Sequence, residues 1–283
     1  MTAITFVDKV NFIIGGICSS ETLVGKDLIE SSETLTISPC ASSPDLKNIK
    51  NYIFSLYPLD NLDGKLSAEY IYNVLSKRKA AIFSCQSDWC LGEKTIFKER
   101  FSELGGTITI IEHNTTDESD LRSYLIKINN GDAEIIFAPQ YVGGQEKLFE
   151  QAKEINLKQT IFVPSLLDKD LVAKLGSISD NIYGTVLKTS ETNTLFSDEL
   201  KQRTGMIKID SDLCGNRAYD SLMLLNEAII NTKNIDTNKI IDYLHDIDYL
   251  GLSGKIQFDK EGMILNGNFV IVKTKNGKLI EQK

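Results

Sequence analysis

Between residues 80 and 163, short apolar runs alternate with amphipathic segments, and no other feature of this chain narrows its fold so far. Ala80-Ala81-Ile82-Phe83, Thr107 to Ile111 after the Gly105-Gly106 turn, Glu134 to Ala138, and Thr160 to Val163 each read as a strand. Between them Leu121, Tyr124, Leu125 and Ile128 recur at helical spacing, as do Leu148, Phe149, Ala152 and Ile155 with one residue of slack. Strand-helix units repeated at this length imply a parallel sheet with helices on both faces. Such sheets bind ligands beyond the carboxyl ends of their strands.

The flanks extend the pattern. Phe12-Ile13-Ile14, then Gly15-Gly16-Ile17-Cys18-Ser19-Ser20, then a helical pattern from about Glu21 read as a buried strand feeding a helix N-terminus. Unpartnered N–H groups and the helix dipole make such a turn a seat for a small carboxylate. Glycine admits close approach to the main chain, and Ser19 and Ser20 offer hydroxyls. The turn matches neither dinucleotide-binding nor P-loop spacing. Ala218 to Ile230 and Lys239 to His245 read as helices. Lys255 to Asp259 and Asn268 to Lys273 alternate as in a hairpin-like ending, with turns at Lys260-Glu261-Gly262 and Lys275-Asn276-Gly277.

With 283 residues, 42% hydrophobic and 25% charged, the chain suits two globular lobes. A net charge of −8 argues against nucleic acid as a partner. No run spans a bilayer, and no basic, apolar, small-residue export signal is present in the sequence. Five cysteines, an odd number, predict no disulfide framework, so Cys18, Cys40, Cys85, Cys90 and Cys214 read as small buried hydrophobes. Two histidines make a zinc site or a histidine-based triad hard to build, and no metal or other cofactor is expected. An enzymatic alternative would use Cys85 or Cys90 as a nucleophile beside Trp89, but neither histidine is near in sequence to serve as its base.

Several spaced motifs carry a family resemblance: Ile13-Ile14-Gly15-Gly16 with Ser19-Ser20, Ile37-Ser38-Pro39-Cys40-Ala41-Ser42-Ser43-Pro44, Ala218-Tyr219-Asp220-Ser221, and Gly251 to Asp259 with Gly262. In order and separation the chain resembles the branched-chain amino acid (Leu/Ile/Val) binding proteins of ABC importers, of the type I periplasmic binding fold. The resemblance implies an α/β protein of two doubly wound parallel-sheet lobes joined by a hinge. Lobe 1 would take residues 1–58 and 190–248, and lobe 2 residues 59–189 and 249–283. The hinge would use crossovers near Leu56 to Asp60, Thr185 to Ser190 and Asp248 to Gly254. A cleft would clamp a small-molecule ligand, with Ser19 and Ser42 supplying hydroxyls and the main chain of Cys40, Ala41 and Ser42 binding its carboxylate and amine. Trp89 and Tyr141 match aromatic ligand contacts. A membrane permease would be the partner, and the location periplasmic or extracellular. From the residues themselves, Ser43-Pro44-Asp45 fits a helix cap followed by proline at the first helical position.

Two departures from the family pattern matter. Relatives that bind α-amino acids place an acid after the fourth strand of the second lobe, where Leu166 stands here. Either Asp168 substitutes as the partner of the ligand's amine, or the ligand has none, since a buried ammonium without an anion is costly. Relatives also carry two strands, their helices and an export signal ahead of the point where this sequence begins. The expectation is an incomplete first lobe, Phe12 to Ile17 as an unpaired apolar edge, and Cys18 as a free thiol. Alternative readings are a ligand-sensing domain for another small carboxylate or amide, and a truncated fragment that binds nothing.

Overall fold

The computed structural model describes residues 8–49, 51–165, 167–188, 202–203 and 214–282, so Leu166 and the end of the expected second crossover, at residues 189–190, lie outside them. The chain divides into two units, residues 1–59 with 188–267 and residues 60–187 with 268–283. The first unit opens with β1 (Phe12–Ile14), α1 (Ser19–Val24), α2 (Lys26–Ser32), β2 (Leu35–Ser38) and β3 (Ile53–Ser55). The second takes α3 (Asp60–Glu69), β4 (Lys79–Cys85), α4 (Asp88–Glu103), β5 (Thr107–Asn114), α5 (Arg122–Asn129), β6 (Ile135–Phe137), α6 (Val142–Glu154), β7 (Thr160–Val163), α7 (Lys169–Leu175) and β8 (Tyr183–Leu187). The chain returns to the first unit for α8 (Asn216–Thr232), α9 (Thr237–His245), β9 (Tyr249–Gly251) and β10 (Gly254–Ile256). It ends in the second with β11 (Phe269–Lys275) and β12 (Lys278–Glu281).

In the first unit β1, β2 and β3 run parallel in that order, and among the described residues β1 pairs only with β2. Leu35, Ile37 and Phe54 point into a core closed by Leu224 and Ala228 of α8, Ile240 and Leu244 of α9, and Ile256 and Phe258. Ile53 faces the other way, into a second core with Ile29, Ala41, Leu46 and Ile49. Helical cover on both faces is what a parallel sheet requires.

The second unit holds a seven-stranded sheet in the order β12-β11-β8-β7-β6-β4-β5. The five strands from β8 to β5 are parallel, and β11 and β12 are antiparallel additions at one side. Along β4, Ala81 and Phe83 enter a core lined by α5, α6 and α7, while Ala80 and Ile82 enter another with Phe97, Phe101 and Phe137. The rings of Phe97 and Phe137 stack with centroids 3.9 Å apart.

Two sequence expectations change. Residues 249–267, expected in lobe 2, belong to the first unit, because Ile256 and Phe258 are buried with Leu35 and Leu224 and because Asp220 of α8 holds their loop. Asp220 Oδ1 accepts from Leu252 N at 2.9 Å, and Oδ2 from Ser253 N at 2.7 Å and Ser253 Oγ at 2.5 Å. A side chain at Gly251 would lie 2.5 Å from Asp220 Oδ1, which explains the glycine. The third crossover therefore falls at residues 267–268 rather than near Asp248 to Gly254. The hairpin-like ending also pairs differently: β10 pairs with β9, while β11 turns through Lys275-Asn276-Gly277 into β12 and pairs on its other side with β8.

Asp60 and Asp63 of α3 and Glu93 of α4 form a carboxyl cluster, each 1% exposed or less. Burial pushes Asp63 up to about 7 against hydrogen bonds from Thr185, Ser67, Glu93 and Ser165 that pull the other way. Burial, then the carboxylates of Asp63 and Asp60, hold Glu93 well above the usual range. The folded unit thus keeps protons that the unfolded chain releases above pH ~4. The cluster favours the fold at low pH, and that advantage is lost as pH rises from ~4 through ~7. Asp63→Asn is expected to gain about 2 kcal/mol over wild type between pH 5 and pH 8 in urea melts. A difference independent of pH would show that Asp63 is ionised in the fold.

Candidate functional site

In the first unit the carboxyl ends of the strands carry a network of hydroxyls. Ser38, the last residue of β2, donates its Oγ proton to Gly16 O at 2.6 Å and accepts from Ala41 N at 3.0 Å. Gly16 has φ +22°, and a side chain there would lie 2.3 Å from Thr22 Oγ1. Ser19 is buried, and its Oγ accepts from Ser42 N at 3.1 Å and Ser43 N at 3.2 Å. Ser55, the last residue of β3, donates to Ala41 O at 2.6 Å. Ser43 caps the short 3-10 helix Pro44–Asn48 by accepting from Asp45 N, with Pro44 in its first turn, as its sequence predicts. The loop that starts α1 does bind a carboxylate, but its own: Glu21 Oε2 accepts from Ile17 N at 3.0 Å and Cys18 N at 3.2 Å. The main-chain N–H groups of Ala41 and Ser42 likewise have internal partners, so Ser19 acts first as a brace for this loop.

In the second unit Trp89 and Tyr141 come together. Trp89 lies in the first turn of α4, past the end of β4, and Tyr141 is the N-cap of α6, past the end of β6. β4 and β6 are neighbours, and the two rings lie 5.0 Å apart at a 40° tilt. Ser87 caps α4 by accepting from Cys90 N at 3.2 Å, and its hydroxyl also lies 3.4 Å from Tyr141 Oη. Gln140, which precedes Tyr141 in the chain, is anchored by its Nε2, which donates to Asn114 Oδ1 at 2.7 Å and Phe83 O at 3.3 Å. Asp168 caps α7, its Oδ1 accepting from Leu171 N at 2.6 Å, so one of its oxygens is committed. A cavity of about 460 Å³ opens at the amino ends of β7 and β8, lined by Phe149, Lys153, Leu157, Thr160 and Ile178, and Trp89, Tyr141 and Asp168 take no part in it.

The cysteines overturn the expectation of buried free thiols. Cys40 is bonded to Cys214 and Cys85 to Cys90, leaving Cys18 as the free thiol among the described residues. An odd count is no guide when one cysteine stands alone. The fold brings each pair within bridging range, with Cα atoms 5.7 Å apart across 174 residues and 5.5 Å apart across five. Bonded to each other, the Cys85 and Cys90 sulfurs supply no thiolate for the enzymatic alternative. Burial and then the nearby Glu21 carboxylate push the Cys18 thiol up.

Sequence reasoning also passed over Arg217, at the start of α8. It is 4% exposed, donates Nε to Leu56 O at 3.0 Å, and places its guanidinium 5.2 Å from the ring centre of Tyr57. Ser55 and Ser87 were passed over as well, and Ser38 entered only as part of a motif. Only Ser87 carries a usable signal, a serine three residues before Cys90 at the start of a helical pattern. Among the described residues no group of three or more His, Cys, Asp or Glu is placed to hold a metal ion, and no helix is long and apolar enough to cross a membrane.

A family model described as periplasmic binding protein matches residues 3–278. The leucine-, isoleucine-, valine-, threonine-, and alanine-binding protein of Pseudomonas aeruginosa is 22% identical over 270 residues, covering 93% of this chain and 71% of the relative. The leucine-specific-binding protein of Salmonella typhimurium is 23% identical over 158 residues, which is 56% of this chain and 43% of the relative. Among solved structures, a leucine binding protein LivK from Thermotoga maritima superposes with a TM-score of 0.85 at 20% identity, covering 100% of this chain and 81% of that one. A solute binding protein of an ABC transporter from R. palustris, in complex with benzoate, also gives 0.85, at 16% identity and with 99% and 79% coverage. These likenesses establish a shared fold.

The two bridges differ in what they constrain. By loop-closure entropy Cys40–Cys214, at a separation of 174, is worth about 5 kcal/mol and Cys85–Cys90, at a separation of five, about 2 kcal/mol. Denaturant melts are expected to show Cys40→Ala with Cys214→Ala losing about 3–5 kcal/mol in the first unit, against about 2 kcal/mol or less in the second for Cys85→Ala with Cys90→Ala. The reverse order would mean that the long bridge adds little to the fold.

Proposed function

Because the chain belongs to the periplasmic binding protein family, we propose that it captures a branched-chain or related amino acid outside the cytoplasm for the permease of an ABC importer. The observation that carries this reading is the Trp89–Tyr141 pair at the carboxyl ends of two adjacent parallel strands, where sheets of this kind bind ligands. In this reading the two rings cover the ligand's apolar part. The Ser19 proton and the Ser42 hydroxyl take its carboxylate, and the main chain of Cys40, Ala41 and Ser42 lies beside its carboxylate and amine. Asp168 receives the ammonium through the oxygen that does not cap α7. No step of bond making or breaking is needed.

A second reading is an aromatic carboxylate without an amine. It is favoured by the capping bond that already occupies Asp168, and by an aromatic pair suited to a ring. Titration calorimetry with L-leucine, L-isoleucine, L-valine and benzoate separates the two. Amino acid binding, weakened at least ~10-fold by both Trp89→Ala and Ser42→Ala (about 1.4 kcal/mol) while both variants remain folded, is the expected result. Binding of benzoate alone would replace the first reading by the second. Unchanged affinity in both variants would remove the site.

A further inference from the structure

The Cys85–Cys90 bridge closes too short a loop to restrict much of the unfolded chain, yet it stands directly beside one aromatic side chain, Trp89. Cys85 is the last residue of β4, Cys90 lies in the first turn of α4, and Trp89 precedes Cys90 directly. Cys85, Trp89 and Cys90 form a small apolar cluster of their own, with Tyr141 packed against it. Ser87 completes the arrangement: its Oγ is 3.2 Å from Cys90 N, 3.4 Å from Tyr141 Oη and 3.4 Å from Cys85 Sγ.

We propose that the Cys85–Cys90 disulfide is a positioning cross-link that holds Trp89 against Tyr141, so that opening it weakens ligand capture. The inference rests on the reading of these rings as a ligand contact. Without the bridge, the Ser87 cap is left to tie the first turn of α4 to the end of β4, and side-chain packing alone aims the indole. A loosened aromatic contact lowers affinity because the ring must be ordered again on each binding event. Opening consumes two electrons and two protons: a dithiol is oxidised to its cyclic disulfide as the Sγ–Sγ bond becomes two thiols.

Trp89 is the only tryptophan of the chain, so indole fluorescence reports on this position alone. The test compares wild type with the Cys85→Ala/Cys90→Ala variant by acrylamide quenching and by calorimetry with L-leucine and benzoate. The expected result is quenching at least ~2-fold more efficient and affinity at least ~10-fold weaker in the variant. Equal quenching, or affinity within ~2-fold of wild type, overturns the proposal. If wild type binds neither probe, the site reading fails, and quenching alone decides whether the bridge positions Trp89.

Dithiothreitol supplies a second measurement that does not depend on the variant folding. Alkylation and mass mapping identify which bridge has opened in the native chain. Opening of Cys85–Cys90 alone, with quenching restored on reoxidation, supports the proposal. Loss of affinity that follows the opening of Cys40–Cys214 instead, and is equal in the Cys85→Ala/Cys90→Ala variant, overturns it.

Discussion

A parallel strand with helices above and below has no dry-free side, and this one fact arranges the rest of the molecule. Along β4 every residue from Ala80 to Cys85 is buried, with neighbours sent alternately into two cores. A polar group placed mid-strand would need a partner inside one of those cores, and leaving it without one costs more than most hydrogen bonds return. The side chains that hold the loops therefore stand where the strands end. In the first unit these are Ser38 and Ser55, and in the second Asn114, Gln140 and Ser87.

At those ends the chain answers its own loops before it could answer a ligand. Ser19 ties down Ser42 and Ser43, Ser38 ties down Ala41 and Gly16, and Glu21 occupies the N–H groups in front of α1. Loops held in this way need little reordering when a small molecule arrives, which preserves affinity. In the second unit the same economy appears in Gln140, which spans the ends of β4 and β5 and leaves Tyr141 beside Trp89.

How much of this could be read from residues alone follows from the same physics. β4, β6 and β7 were legible because burial on both faces writes a short apolar run, β1 and β5 because isoleucines recur beside glycine turns, and α8 because its apolar stripe is long. β2 and β3 carry Thr36 and the two serines that the loops need, and β8 carries Gly184 and Thr185, which blurs the run. The partner of β10 depends on a pairing that an alternating pattern cannot specify, so residues 255–259 pointed to the wrong unit. The family resemblance singled out Trp89 and Tyr141 as expected ligand contacts, and in the structure their rings lie 5.0 Å apart. The bridges stayed hidden because spacing in sequence says nothing of 5.7 Å in space. Asp168 was read as a candidate partner for a ligand's amine, while its cap, an aspartate three residues before Leu171, was there to be read and was not.

The long bridge also sets an order of events. Its two halves lie on either side of the whole of residues 60–187, so the first unit cannot close until most of the second has been synthesised. Until then Cys40 waits as a thiol in the company of Cys18, only 22 residues upstream. Thiol exchange runs through the thiolate, and once the β1–α1 loop has formed, burial and the Glu21 carboxylate keep Cys18 protonated. Burial first, and then the carboxylate that fills the front of α1, thus hold down the thiolate form of the odd cysteine, the form through which a bridge would be reshuffled.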